Sequence, residues 1–115
     1  MSPEPSAPLE VDVNTVNQQV QRNDGSAILL DCRRADEWAL NRIDTACWIP
    51  MDELPSRSGE LPQNTGQPLV VYCHHGGRSL MVARWLRANG WPQAQSMTGG
   101  IDAWALQVDP QCPRY

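Results

Sequence analysis

The sequence predicts an α/β domain built around a mainly parallel β-sheet. Short apolar runs of strand length, at residues 27–31, 46–49, 68–72 and 94–97, alternate with segments of helical composition or periodicity. Strands that alternate with helices favour parallel pairing, because each crossover returns the chain to the same end of the sheet. The length of 115 residues fits one compact domain with a buried core.

The composition is typical of a soluble globular protein, with 41% apolar and 19% charged residues. All nine basic residues are arginines and the formal net charge is -4, a balance that disfavours nucleic acid and anionic membranes as partners. No apolar run is long enough to cross a bilayer, and the first residues lack the basic and apolar segments of a signal peptide. We therefore expect a cytoplasmic protein, and we expect it to be a monomer.

Four cysteines occur at irregular intervals, namely Cys32, Cys47, Cys73 and Cys112. No C-x-x-C pair is present, so neither a zinc site nor a disulfide framework is indicated. In a reducing compartment all four are expected to be free thiols. A cysteine is most often a small buried hydrophobe, and we assign that structural role to Cys32, Cys47 and Cys112.

The N-terminal region begins with a stretch that predicts a flexible tail, because residues 1–8 are rich in Pro, Ser and Glu and lack periodicity. Asn14 is a candidate N-cap, and Val16 and Val20 then recur at helical spacing. This first helix is expected to end at the turn-forming residues 23–25.

A buried strand is predicted at residues 27–31, because a short apolar run bounded by turn residues is typical of a strand covered on both faces. Asp31 stands at its carboxyl end. Residues 35–41 are rich in helix formers, and residues 46–49 can form a further buried strand. We interpret residues 50–66 as loop, with one helical turn near its start.

The clearest unit joins a strand, a tight loop and a helix without a spacer. Residues 68–72 form the most apolar strand of the chain, residues 73–77 the loop and residues 78–89 the helix, which Gly90 closes. Ligands of open parallel sheets bind outside the carboxyl ends of the strands. This loop is therefore the expected functional site.

The last predicted elements are a strand at residues 94–97 and a short helix that follows Gly99 and Gly100. Residues 109–115 contain two prolines and are interpreted as a C-terminal tail. One folded domain is therefore expected to span residues 9–108.

Cys73 opens the loop and is the candidate nucleophile. Gly76 and Gly77 allow the backbone to turn tightly and to direct successive N–H groups inward as the helix begins. The partial positive charge of the helix N-terminus and the full charge of Arg78 both favour the thiolate over the thiol. A reactive sulfur at Cys73 is the result we expect.

Four further polar residues are assigned supporting roles. His74 and His75 could be metal ligands or general acids, but adjacent ligands without a third at a recognisable spacing make a poor zinc site. We therefore predict that they shape the loop, and we predict no metal. Asp31 and Arg33, near the end of a neighbouring strand, are expected to form an ion pair or hydrogen bonds that support the loop.

These residues resemble a known family, the rhodanese-like sulfurtransferases. Residues 73–79 fit the loop pattern Cys-x-x-Gly-x-Arg-[Ser/Thr] of its single-domain members at every fixed position. Residues 30–33 and Glu37 resemble the family's Asp-x-Arg region, and residues 99–104 resemble its closing Gly-Gly-x-x-x-Trp. Residues 42–46 depart from the usual His-Ile-Pro-Gly-Ala, so that an arginine stands where the family has a histidine.

The resemblance implies a five-stranded, mainly parallel sheet flanked by helices on both faces. It also implies a sulfurtransferase, in which Cys73 accepts a sulfane sulfur from a donor such as thiosulfate and passes it, as a persulfide, to cyanide or a thiol. A protein thiol is a further acceptor class, and no cofactor is expected beyond the covalent persulfide. Arg78 is expected to act with Cys73 in catalysis by orienting the donor's oxygens. The expected substrate contacts come from the loop residues His74, His75, Gly76, Gly77, Arg78 and Ser79.

Two other functions fit part of the pattern. Cysteine phosphatases and arsenate reductases also place a cysteine and an arginine in a loop before a helix, but they resemble Cys-x5-Arg, whereas four residues separate Cys73 from Arg78 here. The shorter loop narrows the ring of N–H groups, which suits a persulfide sulfur better than a phosphate. A module of this fold could also dock a partner or relay sulfur without turnover of its own, although an intact Cys73 favours an enzyme.

Overall fold

A computed structural model describes residues 8–21, 27–61 and 68–115 and shows the predicted α/β architecture. Five strands form one sheet in the order β1-β5-β4-β2-β3, and every pairing between neighbours is parallel. Of the tail predicted at residues 1–8, residues 1–7 lie outside the described residues, as does the predicted helix end at residues 23–25. The strands are β1 (Glu10–Val11), β2 (Ile28–Asp31), β3 (Cys47–Trp48), β4 (Leu69–Tyr72) and β5 (Ala94–Met97).

Helices connect the strands and cover both faces of the sheet, as the resemblance implied. Residues 51–60 are helical, because two 3₁₀ turns flank the short helix α3, where the sequence predicted mainly loop. The buried side chains of Leu54 and Leu61 hold this segment against the core. The helices are α1 (Val13–Gln21), α2 (Ala35–Leu40), α3 (Leu54–Arg57), α4 (Gly77–Ala88) and α5 (Gly100–Gln107).

The N-terminal edge of the sheet differs from the prediction in two details. Strand β1 was not predicted, because two residues are too few to show a strand pattern; it pairs with β5 through tertiary contact. Helix α1 begins at Val13, and its cap is Asp12 rather than Asn14: the Asp12 carboxylate accepts a hydrogen bond of 2.7 Å from the backbone N–H of Thr15.

Strand β4 lies at the centre of the sheet and is buried on both faces. On one face Val71 packs in a cluster with Val82 and Leu86 of α4; on the other, Tyr72 packs in a cluster with Ile101 of α5. The loop after β4 therefore opens at the carboxyl edge of the sheet, between these two helical layers. Within the described part of the chain, no helix is long and apolar enough to cross a membrane.

The C-terminal residues 109–115, predicted to be a tail, return to the domain. The Cys112 side chain is buried, and the side-chain amide of Asn41 donates a hydrogen bond of 2.5 Å to the carbonyl of Pro113. The segment carries no hydrophobic periodicity because specific polar contacts hold much of it, and such contacts leave no local pattern in the sequence.

Candidate active site

The loop at the end of β4 folds around the sulfur of Cys73. Gly76 adopts φ 110°, a left-handed conformation that favours glycine, and lets the chain turn directly into α4. The backbone N–H groups of Gly76 and Ser79 point at Cys73 Sγ, at 3.1 and 3.4 Å. The inward-facing N–H groups predicted from the two glycines are thus present, and they can stabilise negative charge on this sulfur.

Ser79 closes the inner side of the loop. Its hydroxyl lies 3.5 Å from Cys73 Sγ, donates to the carbonyl of Gly76 at 3.2 Å, and lies 2.7 Å from the hydroxyl of Ser96 on β5. Cys73 is only 1% exposed. The sulfur therefore sits at the bottom of a preformed loop, where few water molecules compete with the backbone donors.

The N-terminus of α5 docks onto the same loop. The backbone N–H of Ile101 donates to the Cys73 carbonyl at 2.9 Å, and that of Asp102 donates to the His74 carbonyl at 3.2 Å. Gly100 has φ 61°, and a Cβ there would overlap both carbonyl oxygens. The second glycine of the Gly-Gly motif is thus required by close contact with the loop that follows β4.

Arg78 is paired with Glu37, a contact that the sequence analysis did not anticipate. Its two terminal nitrogens donate to the two carboxylate oxygens of Glu37, at 2.6 and 2.8 Å. These hydrogen bonds outweigh the opposite effect of burial and hold the pKa of Glu37 at about 2. The pair fixes the guanidinium beside the loop; its contact with a donor stays a prediction.

The predicted ion pair between Asp31 and Arg33 is present and fully buried. Arg33 Nη2 donates to Asp31 Oδ2 at 2.6 Å, and Arg33 Nε donates to Asp31 Oδ1 at 2.9 Å. Arg33 Nη1 also donates to the side-chain oxygen of Asn41 at 2.6 Å. Because the buried charge of Arg33 is paired with the charge of Asp31, Arg33 can also hydrogen-bond to neighbouring groups without the cost of an unpaired buried charge.

Tyr115 joins the two ion pairs. Its hydroxyl accepts a hydrogen bond from Arg33 Nη1 at 2.9 Å and donates one to Glu37 Oε2 at 2.7 Å. Its ring stacks on His74 with the centroids 3.9 Å apart. Partial burial raises the pKa of Tyr115 to about 12, so the hydroxyl keeps its proton at neutral pH. Nothing in the local sequence indicated this role, because Tyr115 lies in the segment that was predicted to be a tail.

His74 is held between two rings, since it also stacks on His75 with the centroids 3.8 Å apart. The structure adds Asp102, so that three potential ligand atoms lie within 4.8 Å of one another, which the sequence analysis did not foresee. The two stacked imidazole planes are inclined by 26°, and the Asp102 carboxylate is already engaged by Arg114 at 2.8 Å. This arrangement suits a loop-shaping role better than metal binding.

The remaining cysteines differ in their surroundings. Cys32 and Cys112 are buried, as expected, but Cys47 is exposed, and the prediction of a buried Cys47 is wrong. The reason is that β3 is the edge strand of the sheet, so only one side of it is covered by another strand. All four cysteines are free thiols.

Several known proteins resemble this chain in sequence. A sulfurtransferase from Allochromatium vinosum is 31% identical over 96 residues, which cover 84% of this chain and 87% of that protein. The chloroplastic rhodanese-like/PpiC domain-containing protein 12 of Arabidopsis thaliana is 32% identical over 91 residues. These residues cover 77% of this chain but 30% of that protein. The putative sulfur carrier protein YrkF of Bacillus subtilis is 29% identical over 100 residues, covering 87% of this chain and 52% of YrkF.

Solved structures share the fold. The human single-domain sulfurtransferase TSTD1 superposes with a TM-score of 0.78 at 24% identity, covering 88% of this chain and 98% of that one. A rhodanese-like domain protein from Staphylococcus aureus gives a TM-score of 0.77 at 25% identity, covering 94% of this chain and 99% of that one. The family described as the rhodanese-like domain matches residues 14–107. The chain therefore belongs to the rhodanese-like domain family, and sulfur transfer is the general activity that its relatives support.

Proposed function

We propose that this protein moves a sulfane sulfur from thiosulfate to a thiophilic acceptor, cyanide or a thiol, through a persulfide on Cys73. One observation carries the proposal: the backbone N–H groups of Gly76 and Ser79 converge on Cys73 Sγ. Donors aimed at a buried sulfur stabilise the thiolate before the reaction and the persulfide after it. Apart from the sulfur donor and the acceptor, only the chain's own residues take part in the proposed steps.

The proposed reaction has two balanced steps. The Cys73 thiolate attacks the outer sulfur of thiosulfate, a sulfur–sulfur bond forms, and the bond to the sulfonate sulfur breaks, so that sulfite leaves with the electron pair. The acceptor then attacks the outer sulfur of the persulfide and leaves as thiocyanate or as a new persulfide. The Cys73 thiolate is regenerated.

The positive charge of Arg78 assists both the approach of the anionic donor and the departure of sulfite. Glu37 binds its two terminal nitrogens, so the donor's oxygens have only the remaining N–H groups of the guanidinium available. The partly exposed His74 and the exposed His75 lie at the loop and can contact a substrate from outside, while Gly77 begins α4. We infer that the donor enters on this side of the loop.

The geometry favours sulfur transfer over phosphate chemistry. A cysteine phosphatase needs a ring of N–H groups wide enough to surround the oxygens of a phosphate. The four residues between Cys73 and Arg78 leave a narrower ring of N–H groups. Aryl phosphate hydrolysis is therefore expected to be negligible beside sulfur transfer, and comparable rates would favour the phosphatase instead.

A protein thiol is a second acceptor class. YrkF of Bacillus subtilis, which resembles this chain, is described as a putative sulfur carrier protein, and the Zea mays relatives are described as adenylyltransferase and sulfurtransferase proteins. These names favour a relay to a protein partner. Four free thiols also suit a reducing compartment such as the cytoplasm, where acceptor thiols are abundant.

The test is formation of thiocyanate from thiosulfate and cyanide, combined with intact mass spectrometry and peptide mapping. The wild type should gain one reducible sulfur on Cys73 and produce thiocyanate. Cys73→Ser should do neither and should remain folded, because a hydroxyl lacks the nucleophilic anion but occupies similar space. Cys47→Ser, at an exposed thiol outside the loop, is the matched control and should retain activity. Sulfur found on Cys32, Cys47 or Cys112 would refute the proposal.

A further inference from the structure

Cys32 lies beside the nucleophile. Strands β2 and β4 are parallel neighbours, and their last registered pair is Asp31 with Tyr72. Cys32 and Cys73 follow this pair by one residue on each strand, and the backbone N–H of Cys32 still donates to the Tyr72 carbonyl at 3.2 Å. The parallel register therefore brings the two cysteines side by side at the carboxyl edge of the sheet.

The two thiols also share one face of the sheet. Both belong to the cluster of buried residues that includes α4, and each is 1% exposed. Cys32 Sγ lies 3.5 Å from the Tyr72 carbonyl oxygen, next to the peptide bond that leads into Cys73. Adjacent strands are about 4.8 Å apart, which lies within the range of roughly 4.4–6.8 Å between the Cα atoms of a disulfide.

We propose that Cys32 is a resolving thiol that removes the sulfur from the Cys73 persulfide when no acceptor arrives. This inference rests on the proposed persulfide. Cys32 Sγ attacks Cys73 Sγ, a disulfide bond forms between them, and the bond from Cys73 Sγ to the outer sulfur breaks. The outer sulfur leaves with the electron pair, takes the Cys32 proton and is released as hydrosulfide. The two cysteines are oxidised and the sulfane sulfur is reduced, so no other oxidant is required.

The surroundings of Cys32 explain why this reaction does not compete with normal transfer. Burial, reinforced by the negative charge on Cys73, raises the pKa of the Cys32 thiol well above its ordinary value. Very little thiolate is present at neutral pH, so the attack on the persulfide is slow. An acceptor that enters the loop therefore removes the sulfur first. A thiol reductant then restores the resting enzyme from the disulfide.

The test follows the full-length protein by intact mass spectrometry after thiosulfate is added and then removed, with acid quenching and thiol alkylation. In the wild type the mass of one added sulfur should decay, sulfide should appear, and the product should lack two hydrogen atoms relative to the reduced protein. Nonreducing peptide mapping should join the Cys32 and Cys73 peptides. In Cys32→Ala and Cys32→Ser the added sulfur should persist roughly tenfold longer or more, without sulfide release. Cys112→Ser, at a buried cysteine in the cluster on the opposite face, should behave like the wild type.

The outcomes separate this inference from the proposed function. If the wild type forms a persulfide that decays at the same rate in the Cys32 variants, or if mapping joins Cys73 to another cysteine, the resolving role is wrong while sulfur transfer stands. If no protein thiol gains sulfur in any variant, the proposed function itself fails. Nonreducing peptide mapping of the wild type tests for the disulfide between Cys32 and Cys73 even if a Cys32 variant does not fold.

Discussion

The hydroxyl of Tyr115 donates a hydrogen bond of 2.7 Å to the same Glu37 carboxylate that binds Arg78 at the start of α4. Tyr115 stands seventy-eight positions after Glu37 in the sequence. Because Arg33 donates to the same hydroxyl, the C-terminal segment couples the buried Arg33 to the Arg78 pair.

Tyr115→Phe should lower the free energy of unfolding by about 1.5–3 kcal/mol, because it removes hydrogen bonds to two charged partners while keeping the ring. Tyr115→Ala should cost more, because it also removes the stacking on His74. Urea unfolding of the two variants and the wild type measures both effects. A Tyr115→Phe variant as stable as the wild type would show that the hydroxyl contacts contribute nothing.

Arg78→Ala should lower the thiosulfate-dependent rate by roughly tenfold to a hundredfold, which corresponds to a charge-assisted contact of about 1.5–3 kcal/mol. Arg78→Lys should recover only part of the rate, because the ammonium group of lysine cannot make the two parallel hydrogen bonds of a planar guanidinium. Rates with thiosulfate and with a neutral persulfide donor should be measured in parallel. If Arg78→Ala is fully active with thiosulfate at neutral pH, Arg78 has no role in binding the donor.

Glu37→Gln should slow transfer from thiosulfate by a smaller factor than Arg78→Ala does, because Glu37 positions the Arg78 guanidinium but is not expected to touch the donor. Transfer from the neutral persulfide donor should change less in both variants, because that donor carries no negative charge for Arg78 to attract. The ratio of the two donor rates is therefore the decisive quantity. An unchanged ratio in Glu37→Gln would contradict a positioning role that acts through Arg78.

The stability that Glu37 contributes should depend on pH. Its pKa is about 2 in the folded protein against an ordinary value of 4.5, so the folded state binds fewer protons than the unfolded state between these values. The contribution is complete above pH 4.5 and is lost as the pH falls towards 2. Urea unfolding of the wild type and Glu37→Gln across this range should show a stability difference that shrinks on acidification. A difference that stays constant would refute the coupling.

Gly100→Ala should destabilise the protein by more than about 2 kcal/mol and impair transfer, since the new Cβ would overlap the carbonyls of Cys73 and His74 and the backbone there has φ 61°. Gly59→Ala is the matched control, because a Cβ at Gly59 meets no atom within 4 Å. Thermal unfolding and thiocyanate formation measure both effects. Equal stability of the two variants would contradict the close docking of α5 on the loop.

Local patterns were sufficient to predict the central part of the fold and to choose Cys73 as the candidate nucleophile. The apolar run of β4, the glycines after it and the helix formers of α4 are contiguous, so the strand, loop and helix can be inferred from neighbouring residues alone. The strand β5 was predicted with its observed bounds for the same reason. Cys73, at the junction of these elements, needed no distant partner to be singled out.

Contacts between distant segments were decided only by the tertiary structure. Strand β1 exists because β5 offers it an edge, and Cys47 is exposed because β3 lies at the other edge of the sheet. The Glu37–Arg78 pair, the return of Tyr115 and the placement of Cys32 beside Cys73 each join residues more than forty positions apart. Sequence periodicity reports which face of an element is buried but not which element covers it. Cys73 could therefore be chosen as the candidate nucleophile from neighbouring residues alone, whereas the residues placed around it depend on how the chain packs.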